Sequence, residues 1–449
     1  MQIDPQLPHL PTALQPLLMQ KLLQRTLLSP LDNQGHGLVV DSCLIGEKRH
    51  KPGKSCVLSY RLQLRDGRTG ASQEQVVSAR LCKPEQGLEE FNRARTRELF
   101  PAPGLQPLAY LPETEMVLWS FPNDRKLTHL PQLLNLKFLA AHLPKKLLSL
   151  ELDESDEIGA IETEILHYLP ERSCMIRYCL AMKRSTGGSQ ALTLYGKNYR
   201  DEQGAEVYSI MRQLAGQMSG SAVPLGYDQD LRTLWQSHVP GKPFLWETLP
   251  ASHTPDLLRN IARSVAEFHR CTLQTPGRFD LKDIDESLLD TVRVAEQACP
   301  DLAGRIRSLV NRLSAQRRSM GWPDSPATPI HRDLKMRNFL IDGERVGLID
   351  MDCVCIGDPL SDIASLIANF HLNGIRASCD DAGIRKVVDL FRSAYVEAAA
   401  YAVFLPRLNW YTAAAFIHEI TRRSIQQLDA ERVTRIGEYL DLSERYASS

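Results

Sequence analysis

The chain has 449 residues, with 53 Lys and Arg against 54 Asp and Glu, a formal net charge of −1. That balance argues against a general nucleic-acid binder and a polybasic membrane-surface protein, although a local patch fits within a neutral sum. The composition, 43% hydrophobic and 24% charged, is ordinary for a globular protein of roughly three structural units. No apolar run approaches the ~18–20 residues of a membrane span, and the opening Met-Gln-Ile-Asp-Pro has no secretory n-region or h-region. A cytoplasmic protein is expected. The cysteines at 43, 56, 82, 174, 179, 271, 299, 353, 355 and 379 form no CxxC pair and no metal spacing. They read as free thiols packed as small hydrophobes in a reducing compartment, Cys353 and Cys355 included.

The first 245 residues contain a repeat. KPGKSCVLSYRL (51–62) and LPERSCMIRYCL (169–180) share Pro, Ser, Cys, Tyr and Leu in register, 118 positions apart. SARLCKPEQGLEEFNRAR (78–95) aligns with YGKNYRDEQGAEVYSIMR (195–212), placing Arg80 on Lys197 and Glu89 on Glu206. Pro107-Leu108-x-Tyr110 then matches Pro224-Leu225-x-Tyr227, and Leu118-Trp119 matches Leu234-Trp235. Within the unit, the alternation in SCMIRYCLAM and ALTLYGKNY predicts two strands, AEVYSIMRQLAG a helix, and PLGYD with LRTLWQSHV two more strands. The unit is a small antiparallel sheet carrying one helix, present twice, at about 38–130 and 160–245. Trp119 and Trp235 read as core aromatics. LTHLPQLLNLKFLAAHL predicts a helix between the copies, followed by a solvated acidic linker, ELDESDE (151–157).

From about 250 the pattern turns helical. DLLRNIARSVAEFHRCTL has apolar residues at i, i+3 and i+4, and similar stretches recur to the end of the chain. One β/loop segment interrupts this, at 328–357. It reads HRDLKMRNFLIDGERVGLIDMD, giving His331-x-Asp333 and Asn338 as H-x-D-x-x-x-x-N, then Asp342-Gly343 and Asp350-Met351-Asp352. Two strands hairpinned at Asp-Gly set Asp333 and Asn338 beside Asp350. Such clustered carboxylate and carboxamide oxygens are the hard ligands that Mg²⁺ takes alongside nucleotide phosphates. Asp333 is then free to orient or take up a hydroxyl proton.

With Gly357-Asp358-Pro359-x-x-Asp362-Ile363-Ala364 following, the segment resembles the aminoglycoside phosphotransferase and small-molecule kinase family of the protein-kinase-like superfamily. The resemblance covers roughly 160–425. It implies a bilobal α+β kinase fold, with a small antiparallel N-lobe and a mainly helical C-lobe, preceded here by a second, degenerate N-lobe-like module. An extra N-terminal cap of this kind and a similar length are features of the maltokinases in the same superfamily. The resemblance also implies ATP and Mg²⁺ as cofactors, a small-molecule hydroxyl as substrate, Asp333 as the catalytic carboxylate, and Asn338 and Asp350 as metal ligands. Asp352 reads as a supporting residue at the metal or a ligand itself. Lys197 matches the strand lysine on the nucleotide phosphates, with Glu206 as its expected ion-pair partner. The turn LPERSC (169–174) is expected to cover the phosphates; it has no glycine, so Ser173 is the residue expected there. Ser237–Pro243 forms the hinge, with His238 and Val239 facing the adenine. Asp358 and Asp362 are structural, Asp362 anchoring or capping the following helix.

His331 is expected to hold the loop rather than act as an acid or base. Arg332 replaces the family's usual glycine and, with Leu334-Lys335, gives the HRDLKxxN of protein kinases, which places Lys335 beside the catalytic residues. No DFG or APE element accompanies it. Arg80 cannot reproduce the lysine ammonium, so the first copy reads as a cap rather than a nucleotide site. The expected division is an N-terminal helical segment (1–37), the cap (38–130), a helix and linker (131–159), the N-lobe (160–245) and the C-lobe (246–449). His371, Trp410, Tyr411 and His418 are candidates for the acceptor site. The alternatives are a protein kinase and a non-catalytic, nucleotide-binding pseudokinase or scaffold. Against the latter, Lys197, Asp333, Asn338 and Asp350 cost stability unless paired or used.

Overall fold

The computed structural model describes residues 4–28, 37–146, 157–183, 189–249, 254–275, 277–319 and 321–449. Two five-stranded sheets follow one another along it. The first contains β1 (Leu38–Lys51), β2 (Ser55–Asp66), β3 (Ser72–Leu81), β4 (Leu108–Leu111) and β5 (Met116–Ser120), in the order β1-β2-β3-β5-β4. The second contains β6 (Glu157–Leu169), β7 (Ser173–Lys183), β8 (Ser189–Tyr199), β9 (Pro224–Asp228) and β10 (Thr233–Ser237), in the matching order β6-β7-β8-β10-β9. The helices Gly87–Ala94 and Gln203–Leu214 lie between the third and fourth strands of each.

Each sheet gains a leading strand that the pattern reading omits. β6 pairs on one side only, and Glu162, Glu164, Ile165 and Leu166 are all exposed along it. An edge strand with so little buried surface has no clear apolar alternation. The acidic linker falls mostly on 147–156, outside the described residues.

Strand register tests the repeat. Arg80 lies opposite Val57 and Val117, and Lys197 opposite Met175 and Leu234, so the two cations hold equivalent positions. The same register sets Val117, not Leu118, on Leu234. The Leu-Trp match is therefore one residue out of phase, and one residue reverses the face. Trp119 packs with Phe91 and Tyr110 beside Gly87–Ala94, whereas Trp235 packs with Tyr178, Leu130 and Leu133 on the far side of its sheet. Both indoles are buried, as expected.

In the C-terminal lobe, helix Thr254–Arg270 buries Leu258, Ile261, Val265 and Phe268 in one core with Pro359–Arg376 and Leu405–Ala415. Helix Gln203–Leu214 adds Val207, Ile210 and Met211, which joins sheet and helical lobe through a continuous apolar layer. The hairpin Phe339–Asp342 and Arg345–Leu348 lies at this junction, turning at Gly343-Glu344 with Gly343 at φ +60°. Among the described residues no helix is long and apolar enough to cross a membrane. All the cysteines are free; Cys355 is packed, but Cys353 is exposed, contrary to expectation.

Candidate active site

The strand Thr328–Ile330 delivers His331 and the loop after it. Arg332 takes a left-handed backbone, φ +63°, which a non-glycine residue keeps only when its surroundings hold it. Asp362 does so. Its buried carboxylate accepts from the amides of His331 (2.6 Å) and Arg332 (2.7 Å) and contacts His269 Nε2 (3.2 Å). The helix cap expected of Asp362 is made instead by Asp358, which accepts from the Leu360 amide. Asp358 has the extended backbone of a cap just before Pro359, whereas Asp362 lies inside the helix and points back at the loop. His331 is buried, with Nε2 2.9 Å from the Ile349 carbonyl, so it braces the loop.

Asp333 is gripped from two sides. Lys335 Nζ lies 2.5 Å from Oδ2, and Arg423 donates to Oδ1 at 2.9 Å. Burial raises this carboxyl's pKa, but Arg423 and Lys335 outweigh it and hold the group below the usual carboxylate range. Asn338 Nδ2 donates to the Asp333 carbonyl at 3.0 Å. Sequence reasoning missed Arg423, 90 residues downstream on the helix Arg422–Gln426.

Lys197 faces these groups from β8. Its Nζ lies 2.7 Å from Asp350 Oδ1 and 2.7 Å from Asp352 Oδ2. Burial disfavours the ammonium, but the two carboxylates reverse that and raise its pKa. Burial likewise opposes ionisation of Asp350, yet Lys197 draws its pKa well below the usual range. Glu206 is not the partner of Lys197. Its helix turns Gly204, Val207, Ile210 and Met211 inward, which leaves Glu206 exposed and, among the described residues, without an ion pair. Asp352 also accepts from the Tyr199 hydroxyl at 2.7 Å.

The donor set suits Mg²⁺. Among the described residues no group of three or more His, Cys, Asp or Glu converges on a metal position. What converges is a pair of carboxylates, Asp350 and Asp352, near Asn338, whose Nδ2 is engaged while its amide oxygen has no partner among the described residues. One or two carboxylates with substrate phosphates and water is the way Mg²⁺ is ordinarily held.

The turn expected to cover the phosphates is occupied elsewhere. The Glu171 amide donates to Asp124 Oδ2 (3.1 Å) and the Arg172 amide to the Leu169 carbonyl (3.0 Å). Glu171 itself, only 4% exposed, meets Arg80 of the first sheet at 3.1 Å. Arg125 and Arg49 stand 3.5 Å and 3.8 Å from the same carboxylate. Ser173 begins β7 and pairs with Leu169 and Tyr199. The link from β10 runs through exposed His238, whose Nδ1 is 2.9 Å from Tyr195 Oη, and buried Val239. Lys242-Pro243 then pairs with Ile341 and Leu340 of the hairpin, so this segment joins sheet to hairpin.

Two acceptor candidates are core residues. His371 contacts Tyr446 Oη, and Trp410 donates to the Leu313 carbonyl, each at 2.9 Å and both buried. Tyr411 and His418 instead line a cleft together with Arg332, the neighbour of Asp333 in sequence, and Arg423, its hydrogen-bond partner.

Residues 183–401 match the model of a phosphotransferase enzyme family. The likeness to that family spans just under half of the chain. The matched segment takes in Lys197, the 331–338 loop and Asp350 to Asp362, and leaves out the first sheet and Arg423. Its class is the one expected from the sequence, a kinase with a hydroxyl acceptor on a bilobal α+β fold. No curated protein matches the chain. Among solved structures, a choline/ethanolamine kinase family protein from Mesorhizobium loti is 17% identical, over 64% of this chain and 87% of its own, with a TM-score of 0.40. An ethanolamine kinase from Plasmodium vivax is 14% identical over 68% and 86%, with a TM-score of 0.45. A thermostable mutant aminoglycoside phosphotransferase, in ternary complex with AMP-PNP and hygromycin B, is 13% identical over 70% and 97%, at 0.47.

Proposed function

We propose that the protein transfers the terminal phosphoryl group of ATP to a hydroxyl of a small molecule in the cytoplasm. The observation that supports this most directly is the convergence of Lys197, Asp350 and Asp352 opposite an ionised Asp333. Lys197 would turn from the carboxylates to the nucleotide phosphates, and Asn338, Asp350 and Asp352 would hold Mg²⁺. When bound, Mg²⁺ supplies charge neutralisation on the transferring phosphate. Asp333 orients the acceptor hydroxyl and takes its proton as the oxygen bonds to phosphorus and the bond to ADP breaks. His238 and Val239 would border the adenine. The first sheet, residues 38–130, acts as a cap that positions the 170–172 turn through Glu171, and residues 160–245 and 246–449 form the two catalytic lobes.

Replacing Asp333 with Asn tests the reading. Turnover of Mg-ATP against a panel of hydroxyl compounds should fall by roughly 10²–10⁴-fold, the usual weight of a positioned general base. The rise in melting temperature with Mg-ATP should persist in the variant, because the nucleotide side is untouched. Equal turnover in mutant and wild type would sink the assignment.

A further inference from the structure

The cleft that Arg423 shares with Asp333 has an unusual charge for its position. It lies between the catalytic loop and the C-terminal helices, and three guanidinium groups, Arg332, Arg422 and Arg423, line it. Arg423 is engaged by Asp333. Arg422 spends one nitrogen on Asp290 (3.2 Å) and another on the His418 carbonyl (3.1 Å). Arg332 stacks over the Phe279 ring at 4.4 Å, and no ion pair of its guanidinium is recorded among the described residues.

Asp333 and Asp290 answer Arg423 and Arg422, and the acidic groups that line the cleft leave Arg332 without a counter-charge. Asp362 is committed to the loop amides. Glu419 is drawn toward its neutral form by burial and accepts from Ser365 Oγ at 2.6 Å. His418, buried and surrounded by the same three arginines, has its pKa pushed down to about 3 and stays uncharged. The backbone here is also unusual. Phe416–Thr421 is a π-helical turn, which widens the helix just where His418 and Glu419 enter the cleft and sets the direction in which Arg422 and Arg423 leave it. Such turns are rare and gather at functional sites.

We propose that the acceptor is an anionic hydroxyl compound, whose carboxylate or phosphate is held by Arg332 and Arg422 while its hydroxyl reaches Asp333. The inference rests on the phosphotransferase reading above and narrows it. Planar guanidinium groups bind such oxyanions through paired N–H donors. The hydroxyl oxygen forms the new bond to the terminal phosphorus of ATP, ADP departs, and the proton goes to Asp333. A polycationic acceptor would meet the guanidinium of Arg332, which no carboxylate answers among the described residues.

The full-length protein, with Mg-ATP, would be assayed against gluconate, glucose 1-phosphate, glucose, ethanolamine and streptomycin. At least one of the two anions should exceed glucose in kcat/KM by about tenfold or more, the effect of one charge-assisted contact. Which anion does so separates a carboxylate from a phosphate. Arg332→Gln should raise the acceptor KM about tenfold with the KM for ATP as internal comparison, and Arg332→Lys should recover part of the loss. A best acceptor that is neutral or cationic, or an acceptor KM unmoved in Arg332→Gln, overturns the inference. If nothing is turned over, anion-dependent stabilisation of the Mg-ATP-loaded protein that disappears in Arg332→Gln supports the anion site and rejects phosphoryl transfer. No stabilisation by either anion rejects the site.

Discussion

Arg423 donates to Asp333 Oδ1 at 2.9 Å, joining a C-terminal helix to the centre of the 331–338 loop. With Lys335 on the other oxygen, it keeps Asp333 ionised against burial. An acid with a depressed pKa stays active as pH falls below the usual carboxylate range. Arg423→Gln removes one of the two charges, so Asp333 protonates at a higher pH. The acid limb of kcat/KM should therefore move upward, with kcat about tenfold lower as the carboxylate loses its orientation. A pH–rate profile with an unmoved acid limb would refute the clamp.

Lys197 stands 2.7 Å from each of two carboxylates, and its removal leaves them facing one another without a cation. Lys197→Met should weaken Mg-ATP binding by roughly 10- to 100-fold, the range for one charged hydrogen-bonding group. Arg at this position should not restore it, since a planar fork cannot replace a compact ammonium between two carboxylates. Nucleotide titration followed by thermal shift decides; wild-type affinity in Lys197→Met would exclude a phosphate contact.

Asp362 accepts two backbone amides and lies against His269. Asp362→Asn keeps the shape but turns one acceptor oxygen into an NH₂ that confronts a donor. A loss of about 3 kcal/mol in urea unfolding is expected for breaking a buried charged network. A cost below about 1 kcal/mol would mean that the left-handed Arg332 backbone holds itself.

Buried His371 has its pKa pushed down to about 4, and the cause is burial. The unfolded chain, with an ordinary histidine, therefore takes up the proton first as pH falls. Stability from this group is complete above the unfolded value of about 6.5 and declines from there toward the folded value. Between about pH 7 and pH 5 the wild type should lose about 2 kcal/mol more than His371→Gln. Parallel losses in the two proteins would show that His371 already carries a proton or is solvated.

Local chemistry accounts for what the chain disclosed in advance. Asp333, Asn338 and Asp350 sit within one short segment around a two-residue turn, so spacing alone brings them together. Lys197 was reachable because β8 pairs with β7 in the register that Arg80 keeps in the first sheet. Glu206 misled because the repeat aligned it correctly while the apolar stripe of its helix turned it outward. Arg423 and Arg422 carry no local signal; only tertiary packing brings them to the loop. The turn at 170–172 escapes the sequence for a similar reason, since its Glu171 amide is claimed by Asp124, a residue of the other sheet's trailing segment.

That turn also bears on how the protein can be divided. Glu171 belongs to the second sheet by sequence, yet its charge is answered by Arg80, Arg125 and Arg49, all upstream of residue 130. Asp124 binds it again from the same side, through the Glu171 amide and the Tyr168 hydroxyl. The two sheets thus share one electrostatic wall. A fragment trimmed to the family match would begin beyond Glu171 altogether, and one trimmed at the expected N-lobe boundary, residue 160, would keep a buried carboxylate stripped of Arg49, Arg80 and Arg125. Similar strand orders make the sheets look interchangeable, but they are not separable parts.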